Sequence, residues 1–279
     1  MNDNTIHRRF LITGASGGLG KAFCAACASR RFGLFLTDRQ PQALEILASG
    51  LEHEYGVEVE TLACDLSSEA DRDRFFMKLE ELSLEFDGLI NVAGYDVEGE
   101  FASKSVEYLR SMIQVNILGM IENINRTLRF RRKSGRFIII NVASLAAFQP
   151  MPYKAMYSAS KRFLLHLSLG IREELKESGV SVTALCPSGM PTSREAIEAI
   201  KVQGLAGTLT TMNTGEVAEY ALKCAFRGKA VVVPGALNKA IMHLSSVCPE
   251  KFTARLVRWQ WTRALMKRCG TLKPQEANA

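Results

Sequence analysis

A tyrosine and a lysine stand four residues apart in this chain, at Tyr157 and Lys161, and Ser144 lies thirteen residues before the tyrosine. Because positions i and i+4 share one face of an α-helix, the phenol and the ammonium can point into the same cleft. A free tyrosine has a pKa of about 10, so it is a poor acid or base at neutral pH. A cation beside it favours the phenolate and lowers that pKa. The pair predicts proton transfer, but by itself it is a weak signal, since an exposed helix can carry it for no chemical reason.

The composition fits one large α/β domain. The 279 residues are 47% hydrophobic and 23% charged, which is ordinary for a globular chain. The net charge of +6 is too diffuse to indicate a nucleic-acid binder, and we interpret the basic run 126–136 as a solvated helix end. The polar first nine residues do not resemble a signal peptide, and no apolar run reaches about 18 residues. We therefore expect a cytoplasmic protein without a nucleic-acid partner.

The seven cysteines are odd in number and lie mostly inside apolar runs, which predicts buried reduced thiols rather than a disulfide framework. Cys24 and Cys27 have the C-x-x-C spacing of redox and metal sites. They fall within a predicted helix, however, and the chain offers no second Cys or His pair of suitable spacing. We interpret them as small residues on a helix face and expect no metal site.

Short β-rich runs alternate with longer amphipathic ones along the whole chain. The predicted strands are 10–13, 33–37, 57–62, 88–91, 137–142, 180–185 and 230–233, and predicted helices include 41–54, 68–85, 106–130 and 155–178. Most of the strands are continuous apolar runs, as in parallel strands that are covered on both faces. The alternation predicts a doubly wound parallel α/β sheet. We expect a single domain over 1–279, with 235–279 as a C-terminal helical extension.

A glycine-rich turn directly follows the first predicted strand and opens a helix, in Thr13-Gly-Ala-Ser-Gly-Gly-Leu-Gly20. Glycines allow a tight turn and let backbone amides approach a pyrophosphate, whose charge the helix N-terminus favours. At this place in an α/β chain, the turn predicts a dinucleotide site.

Asp38 directly follows the second predicted strand, eighteen residues after Gly20. A carboxylate there can accept both hydroxyls of an adenosine ribose and would repel a 2′-phosphate. The adjacent Arg39 could instead pair with that phosphate or stack on adenine. We favour NAD as the cofactor, with NADP as the alternative; the remaining reading is that Asp38 only caps the turn before Pro41.

Asp65 follows the third predicted strand, where it can accept from the adenine amino group or cap the next helix. The two roles are equally favoured and compatible.

These features together resemble the short-chain dehydrogenase/reductase superfamily over nearly the whole chain. The glycine motif of that family matches residues 13–20 fully, and its N-N-A-G segment occurs as Asn91-Val92-Ala93-Gly94, with valine for the second asparagine. Its mid-helix asparagine matches Asn116. Its proline-glycine stretch occurs as Pro187-Ser188-Gly189, with serine where glycine is customary.

The resemblance implies a Rossmann-type dinucleotide-binding oxidoreductase domain and assigns roles to individual residues. Tyr157 would transfer the hydroxyl proton, Lys161 would hold the nicotinamide ribose, and Ser144 would donate to the substrate oxygen. Asn116 would continue the proton path from Lys161. The implied cofactor-binding residues are Gly14, Ser16, Gly18, Leu19, Gly20, Asp38, Arg39, Asp65, Leu66, Asn91, Ala93, Gly94, Tyr157, Lys161, Pro187 and Thr192.

Three loops are expected to line the substrate cleft: 95–101, 145–153 and the segment after Pro187, which is expected to be a mobile lid. The loop 145–153 is apolar and uncharged, which suits a small apolar alcohol or ketone, as in a hydroxysteroid dehydrogenase. Phe148, Met151 and Tyr153 could equally pack against the lid or another subunit. A 3-oxoacyl-type reductase is the alternative enzyme, and a non-catalytic dinucleotide sensor or scaffold is the alternative class.

The basic stretch 251–268 carries Phe252, Leu256, Trp259 and Met266 at helical spacing. Such a helix can lie on an anionic membrane, close the substrate pocket or pack against another subunit. We favour the last two, since the resemblance implies a homodimer or homotetramer; peripheral membrane contact is the less favoured alternative.

Overall fold

The structure is a computed structural model that describes residues 8–96, 98–192 and 209–271, with the backbone alone for 264–271. Its strands are β1 Arg9–Thr13, β2 Gly33–Thr37, β3 Val59–Thr61, β4 Gly88–Asn91, β5 Phe137–Val142, β6 Val180–Leu185 and β7 Val231–Val232. Within these ranges the strands form one parallel sheet in the order β3-β2-β1-β4-β5-β6-β7. The order reverses beside β1 and β4, which is where open α/β sheets form a ligand crevice at the carboxyl ends of their strands.

The helices of the described chain are α1 Gly18–Ala28, α2 Pro41–Tyr55, α3 Glu69–Glu81, α4 Val106–Ile113, α5 Met120–Thr127, α6 Ala155–Glu174, α7 Thr214–Phe226, α8 Ala236–Val247 and α9 Glu250–Thr271. They cover both faces of the sheet, so the expected doubly wound, Rossmann-type fold is confirmed. Alternation along β1 shows why: Phe10 and Ile12 pack with α1, α2 and α7, whereas Leu11 packs with α3 and α5. β1 is therefore buried from both sides.

The predicted strands are confirmed to within two residues, but the predicted helix 106–130 is interrupted. Between α4 and α5 the chain forms a π-helical segment, Gln114–Gly119, and Asn116 lies inside it, fully buried. Ile113, directly before this segment, and Leu118, within it, are 37% and 38% exposed. Asn116 is therefore buried although two of its apolar neighbours are partly exposed.

The basic run 126–136 includes the end of α5, with Arg126 in its last turn, and two of its arginines also form ion pairs. The Arg126 guanidinium pairs with Asp73 at 2.6 Å and lies 4.3 Å from the Phe76 ring centroid. Arg132 pairs with Asp87 at 3.4 Å. The ion pairs connect this run to α3 and to the residue that precedes β4, contacts that the sequence pattern does not predict.

The expectation of buried, reduced thiols holds for four cysteines, Cys24, Cys27, Cys64 and Cys186, while Cys224 and Cys248 are free but partly exposed. Burial raises the pKa of the Cys27 thiol to about 12 and that of Cys24 well above its ordinary value. Such thiols stay protonated, so the C-x-x-C spacing belongs to the packing of α1.

The C-terminal helices pack through a face other than the apolar stripe seen in the sequence. On α9, Thr253 and Val257 are buried, whereas Phe252, Leu256 and Trp259 are 61%, 44% and 52% exposed. The side chain of Met266 lies outside the described residues. In the part of the chain that the structure describes, none of the helices has the length and apolarity to cross a membrane.

Candidate active site

The carboxyl ends of the central strands bring the predicted residues to one edge of the sheet. The glycine turn begins one residue after β1, Ser144 lies two residues after β5, Gly94 three after β4 and Pro187 two after β6. Because the strands are parallel, these short excursions meet in one crevice.

The glycine turn is built so tightly that only hydrogen atoms fit at two of its positions. Gly14 has a φ of +64°, and a Cβ there would lie 2.7 Å from the backbone of Ala93. A Cβ on Gly20 would lie 2.0 Å from the carbonyl oxygen of Gly14. The side chain of Leu19, the residue before it, is buried in the core. Gly18 is in close contact with Thr192.

The N-terminus of α1 suits an anion. Its N-cap residue, Gly17, makes no side-chain capping bond, and the first turn carries no acidic residue. Its amides and the helix dipole can therefore favour a pyrophosphate, so a dinucleotide fits the residues present here.

Asp38 ties this turn to the end of β2. The backbone N–H of Ser16 donates to Asp38 Oδ2 at 3.1 Å. The N-cap of α2 is Gln40, so the capping alternative for Asp38 is not what its side chain does. Arg39 is exposed beside it.

Asp65 and Leu66, which the family resemblance assigns to cofactor binding, also make contacts within the protein. Asp65 Oδ1 accepts from the N–H and the hydroxyl of Ser67, at 2.8 and 2.7 Å. The cap of α3 is Ser68, which accepts from the N–H of Asp71, so the expected capping role of Asp65 is wrong. The Leu66 side chain is buried in the core, and its carbonyl accepts from Arg72.

A chain of buried amides braces the crevice from below. Asn91 Nδ2 donates to Asn141 Oδ1 at 3.0 Å, and Asn91 Oδ1 accepts from Asn123 at 3.3 Å. Asn141 in turn donates to Ser168 Oγ at 2.9 Å. Four elements, α5, β4, β5 and α6, are joined in this way. Asn91 thus links β4 to α5 and β5 through its side-chain amide.

Asn116 holds the segment that follows β4. Its Oδ1 accepts from the N–H of Tyr95 at 3.1 Å, and its Nδ2 donates to the carbonyl of Tyr95 at 3.0 Å and to Ser160 Oγ at 3.4 Å. A Cβ on Gly94 would lie 3.1 Å from Asn116 Oδ1 and 3.3 Å from Lys161 Nζ. The glycine therefore leaves room for the amide and the ammonium to come together, and Ala93 is fixed by the Thr13 hydroxyl at 3.3 Å.

Tyr157, Lys161 and Ser144 converge as the spacing predicts. Lys161 Nζ lies 5.7 Å from the centroid of the Tyr157 ring and donates to the carbonyl of Val142 at 2.9 Å. Ser144 Oγ accepts from the N–H of Ala146 at 3.1 Å, which aims the hydroxyl, and it hydrogen-bonds to the phenol.

The expected lowering of the tyrosine pKa is not found. Burial raises the pKa of Tyr157, and Asp96 raises it further, while the hydrogen bond with Ser144 opposes the rise. Burial also lowers the pKa of Lys161 to about 8, despite the charge of Asp96. The Lys161 ammonium donates to the Val142 carbonyl. For both the phenol of Tyr157 and the ammonium of Lys161, the effect of burial on the pKa outweighs the effect of having the other group nearby.

The structure adds a cluster that sequence reasoning missed. Lys154 Nζ pairs with Glu98 at 2.7 Å and with Asp96, and it lies 5.8 Å from the Tyr157 ring centroid and 5.4 Å from the Trp261 ring. Burial lowers the pKa of Lys154, but the two carboxylates outweigh it and the net shift is upward. The signal in the sequence was a lysine three residues before Tyr157 and two acids, Asp96 and Glu98, shortly after Gly94.

The loops that are expected to line the substrate cleft differ in how their side chains are packed. Phe148 packs against a cluster of Ala143, Leu165 and Val233, together with Met242 of α8, rather than standing free. Met151 and Tyr153 are partly exposed. Of the expected lid, residues 193–208 lie outside the described residues.

Ser188, the departure from the family pattern, is put to use. Its hydroxyl donates to the carbonyl of Thr210 and accepts from Asn238 Nδ2 of α8 at 2.9 Å. Pro187, one residue earlier, accepts from the N–H of Leu145 at 2.8 Å and joins the ends of β5 and β6.

Comparison with known proteins agrees with this geometry. Residues 8–199 match the family described as short chain dehydrogenase. A very-long-chain 3-oxoacyl-CoA reductase of Neurospora crassa is 36% identical over 62% of this chain and 53% of its own length. A 7beta-hydroxysteroid dehydrogenase of Collinsella aerofaciens is 29% identical over 64% of this chain and 69% of its own length. The chain thus spans about half the length of the 3-oxoacyl-CoA reductases that it matches.

Among solved structures, a short-chain dehydrogenase from Sphingobium yanoikuyae in complex with NADPH superposes with a TM-score of 0.73, at 29% identity over 98% of both chains. The sheet order, the glycine turn and the family match point the same way. This chain belongs to the short-chain dehydrogenase/reductase family of NAD(P)-dependent enzymes.

Proposed function

We propose that this chain transfers a hydride between a nicotinamide cofactor and a secondary alcohol or ketone carbon on an apolar molecule. The observation that carries the proposal is the convergence of Ser144, Tyr157 and Lys161 at the sheet edge, beside the uncapped N-terminus of α1. A scaffold that had lost catalysis would not need all three side chains, which disfavours the non-catalytic alternative.

A bound nicotinamide would supply or accept the hydride. Tyr157 gives the proton to the substrate oxygen or takes it away, and Ser144 donates to that oxygen as its charge grows. Lys161 holds the ribose and restores the proton, and Asn116 fixes Tyr95 so that the path to Lys161 stays in place. Burial raises the pKa of the Tyr157 phenol, so in the free protein the group stays protonated near pH 7 and can donate to the oxygen of a ketone.

The cleft residues support a neutral, apolar substrate, such as a steroid ketone. The loop 145–153 carries no charge, and the nearby Asp96 and Glu98 are only partly offset by Lys154. Two carboxylates facing one ammonium disfavour an anionic substrate. The second candidate, a 3-oxoacyl thioester, is supported by the similarity to 3-oxoacyl-CoA reductases.

For the cofactor we propose NAD, with NADP as the alternative. Asp38 gives only Oδ2 to Ser16, so its carboxylate can still accept from ribose hydroxyls. Arg39 and the NADPH in the Sphingobium yanoikuyae structure support the alternative. We further propose a homo-oligomer, because α4 to α6 expose several large apolar side chains: Val106, Ile113, Leu118, Phe163 and Leu169.

The test is a set of initial rates, followed by absorbance of the reduced cofactor, with NADH and NADPH against a neutral steroid ketone and a 3-oxoacyl thioester. We expect reduction of the steroid ketone with NADH. Turnover of the thioester alone would select the second candidate. Cofactor fluorescence titrations that show binding of neither dinucleotide would overturn the proposal.

A further inference from the structure

Lys154 brings the C-terminal helix next to the proposed catalytic tyrosine. Its ammonium lies within 6 Å of two ring centroids, 5.8 Å from Tyr157 and 5.4 Å from Trp261, and it is held by Asp96 and Glu98. One side chain thus connects the start of α6, the segment after β4 and the middle of α9. The indole of Trp261 is separated from the phenol by a single ammonium.

Trp261 lies on the face of α9 that packs against the rest of the chain. Thr253 and Val257 are 7% and 6% exposed, and Trp261 follows Val257 by four residues, so the three share one face. Trp259 lies on another face: it is 52% exposed, and the guanidinium of Arg263 covers its ring at 4.1 Å. The two tryptophans of the chain therefore face different surroundings.

The preceding helix is attached to the same rim. Ser245 of α8 donates to Gln149 Oε1 at 3.0 Å, and Met242 packs against the same buried cluster as Phe148. Both contacts are to the loop 145–153, which follows Ser144. The C-terminal helices are thus joined to the loop that is expected to line the cleft.

We propose that Trp261 is a specificity-determining residue. Lys154 holds its indole at the mouth of the cleft beside Tyr157, where the ring packs against the apolar portion of the substrate that extends from the reacting carbon. This inference rests on the proposed function. It predicts preference for a ketone or alcohol with a long or bulky apolar substituent over a small one.

Trp261→Ala and Trp259→Ala form a matched pair, measured with 2-decanone and 2-butanone as probes. We expect Trp261→Ala to lower kcat/KM for 2-decanone about tenfold, mostly through KM, and to change the rate with 2-butanone by less than about twofold. Trp259→Ala should leave both rates near those of the unaltered enzyme. Equal losses in the two variants, or equal losses on the two ketones in Trp261→Ala, would overturn the proposal.

Lys154 is tested as a positioning residue. Lys154→Met should reproduce the selective rise in KM for 2-decanone and increase acrylamide quenching of Trp261, measured with Trp259→Phe in the background. Lys154→Arg keeps the charge over both rings and should restore most of the selectivity. A Lys154→Met variant that binds NADH normally and keeps its selectivity would show that the indole does not depend on Lys154.

A second readout does not need turnover. Trp259→Phe leaves Trp261 as the single tryptophan, and its emission should shift to shorter wavelength when 2-decanone is added with NADH. Trp261→Phe, which leaves Trp259, should show no shift. If neither ketone is reduced but Trp261 responds, the proposed function fails for these ketones while the assignment of Trp261 stands. No response from Trp261 would overturn the assignment itself.

Discussion

The carboxyl edge of the sheet and the C-terminal helices differ in what restricts their residues. At the sheet edge, backbone geometry leaves little choice of residue: a Cβ on Gly20 would lie 2.0 Å from a carbonyl oxygen, and Gly14 needs a φ of +64°. On α9 many residue types are compatible with the helix, and tertiary packing decides which face is buried. The comparison teaches that steric constraint leaves a readable motif, whereas packing against a distant segment does not.

The largest effect should come from the sheet edge, with Tyr157→Phe. Loss of the proton carrier should lower kcat about 10²- to 10⁴-fold, while NADH binding stays within experimental error of the unaltered protein. Steady-state rates and a fluorescence titration measure the two quantities. Tyr220→Phe, an exposed tyrosine on α7, is the control. Near-normal turnover in Tyr157→Phe would remove the assignment.

Asn116→Ala tests whether the π segment positions the site. The substitution leaves the N–H and carbonyl of Tyr95 without their amide partner, which costs about 1–3 kcal/mol of unfolding free energy, and we expect kcat to fall about tenfold. Denaturant unfolding and steady-state rates measure both effects. Asn125→Ala, an exposed asparagine on α5, should change neither. If the two variants behave alike, Asn116 has no special role.

Lys161→Met should separate activity from stability. The pKa of Lys161 is about 8 in the folded chain against an ordinary 10.5, so between these values the unfolded chain binds a proton that the folded chain has lost. Stability from this group therefore rises with pH across that window, and below about pH 8 the buried charge is destabilising.

We expect Lys161→Met to abolish turnover and to raise the unfolding free energy at pH 7 by about 1–2 kcal/mol, after loss of the hydrogen bond to Val142. The gain should shrink toward pH 10.5. Thermal unfolding followed at pH 7 and pH 10 measures the difference. A variant that is less stable than the unaltered protein at pH 7 would show that the ammonium stabilises the fold.

The sequence predicted the features that depend on local motifs and missed those that depend on packing between distant segments. Continuous apolar runs located the strands, the i, i+4 spacing anticipated that Tyr157 and Lys161 lie together, and the family resemblance added Ser144 to them. The pKa of Tyr157 was not predictable, because it depends on burial and on Asp96, sixty-one residues away in the chain. The role of Lys154 was hidden for the same reason, since its partners Asp96 and Trp261 come from two distant segments.

Ser188 is where the two regions meet, and it carries the smallest expected effect. The family pattern has glycine here, yet Ser188 lies outside the left-handed region, so the backbone does not require glycine. Its hydroxyl joins the end of β6 to Thr210 and to Asn238, which is buried at the start of α8. The serine thus serves the C-terminal helices rather than the turn.

Ser188→Gly should therefore lower the unfolding free energy by about 1 kcal/mol, through the lost hydroxyl and the added freedom of the unfolded chain. Ser188→Ala separates these contributions, because it removes the hydroxyl but keeps the Cβ. Most of the loss should already be present in Ser188→Ala, as measured by urea unfolding. If Ser188→Gly were instead stabilising, the turn would need the conformational freedom of glycine. Serine in place of glycine at position 188 would then strain the backbone at the sheet edge, and the hydrogen bond to α8 would not explain why serine is present.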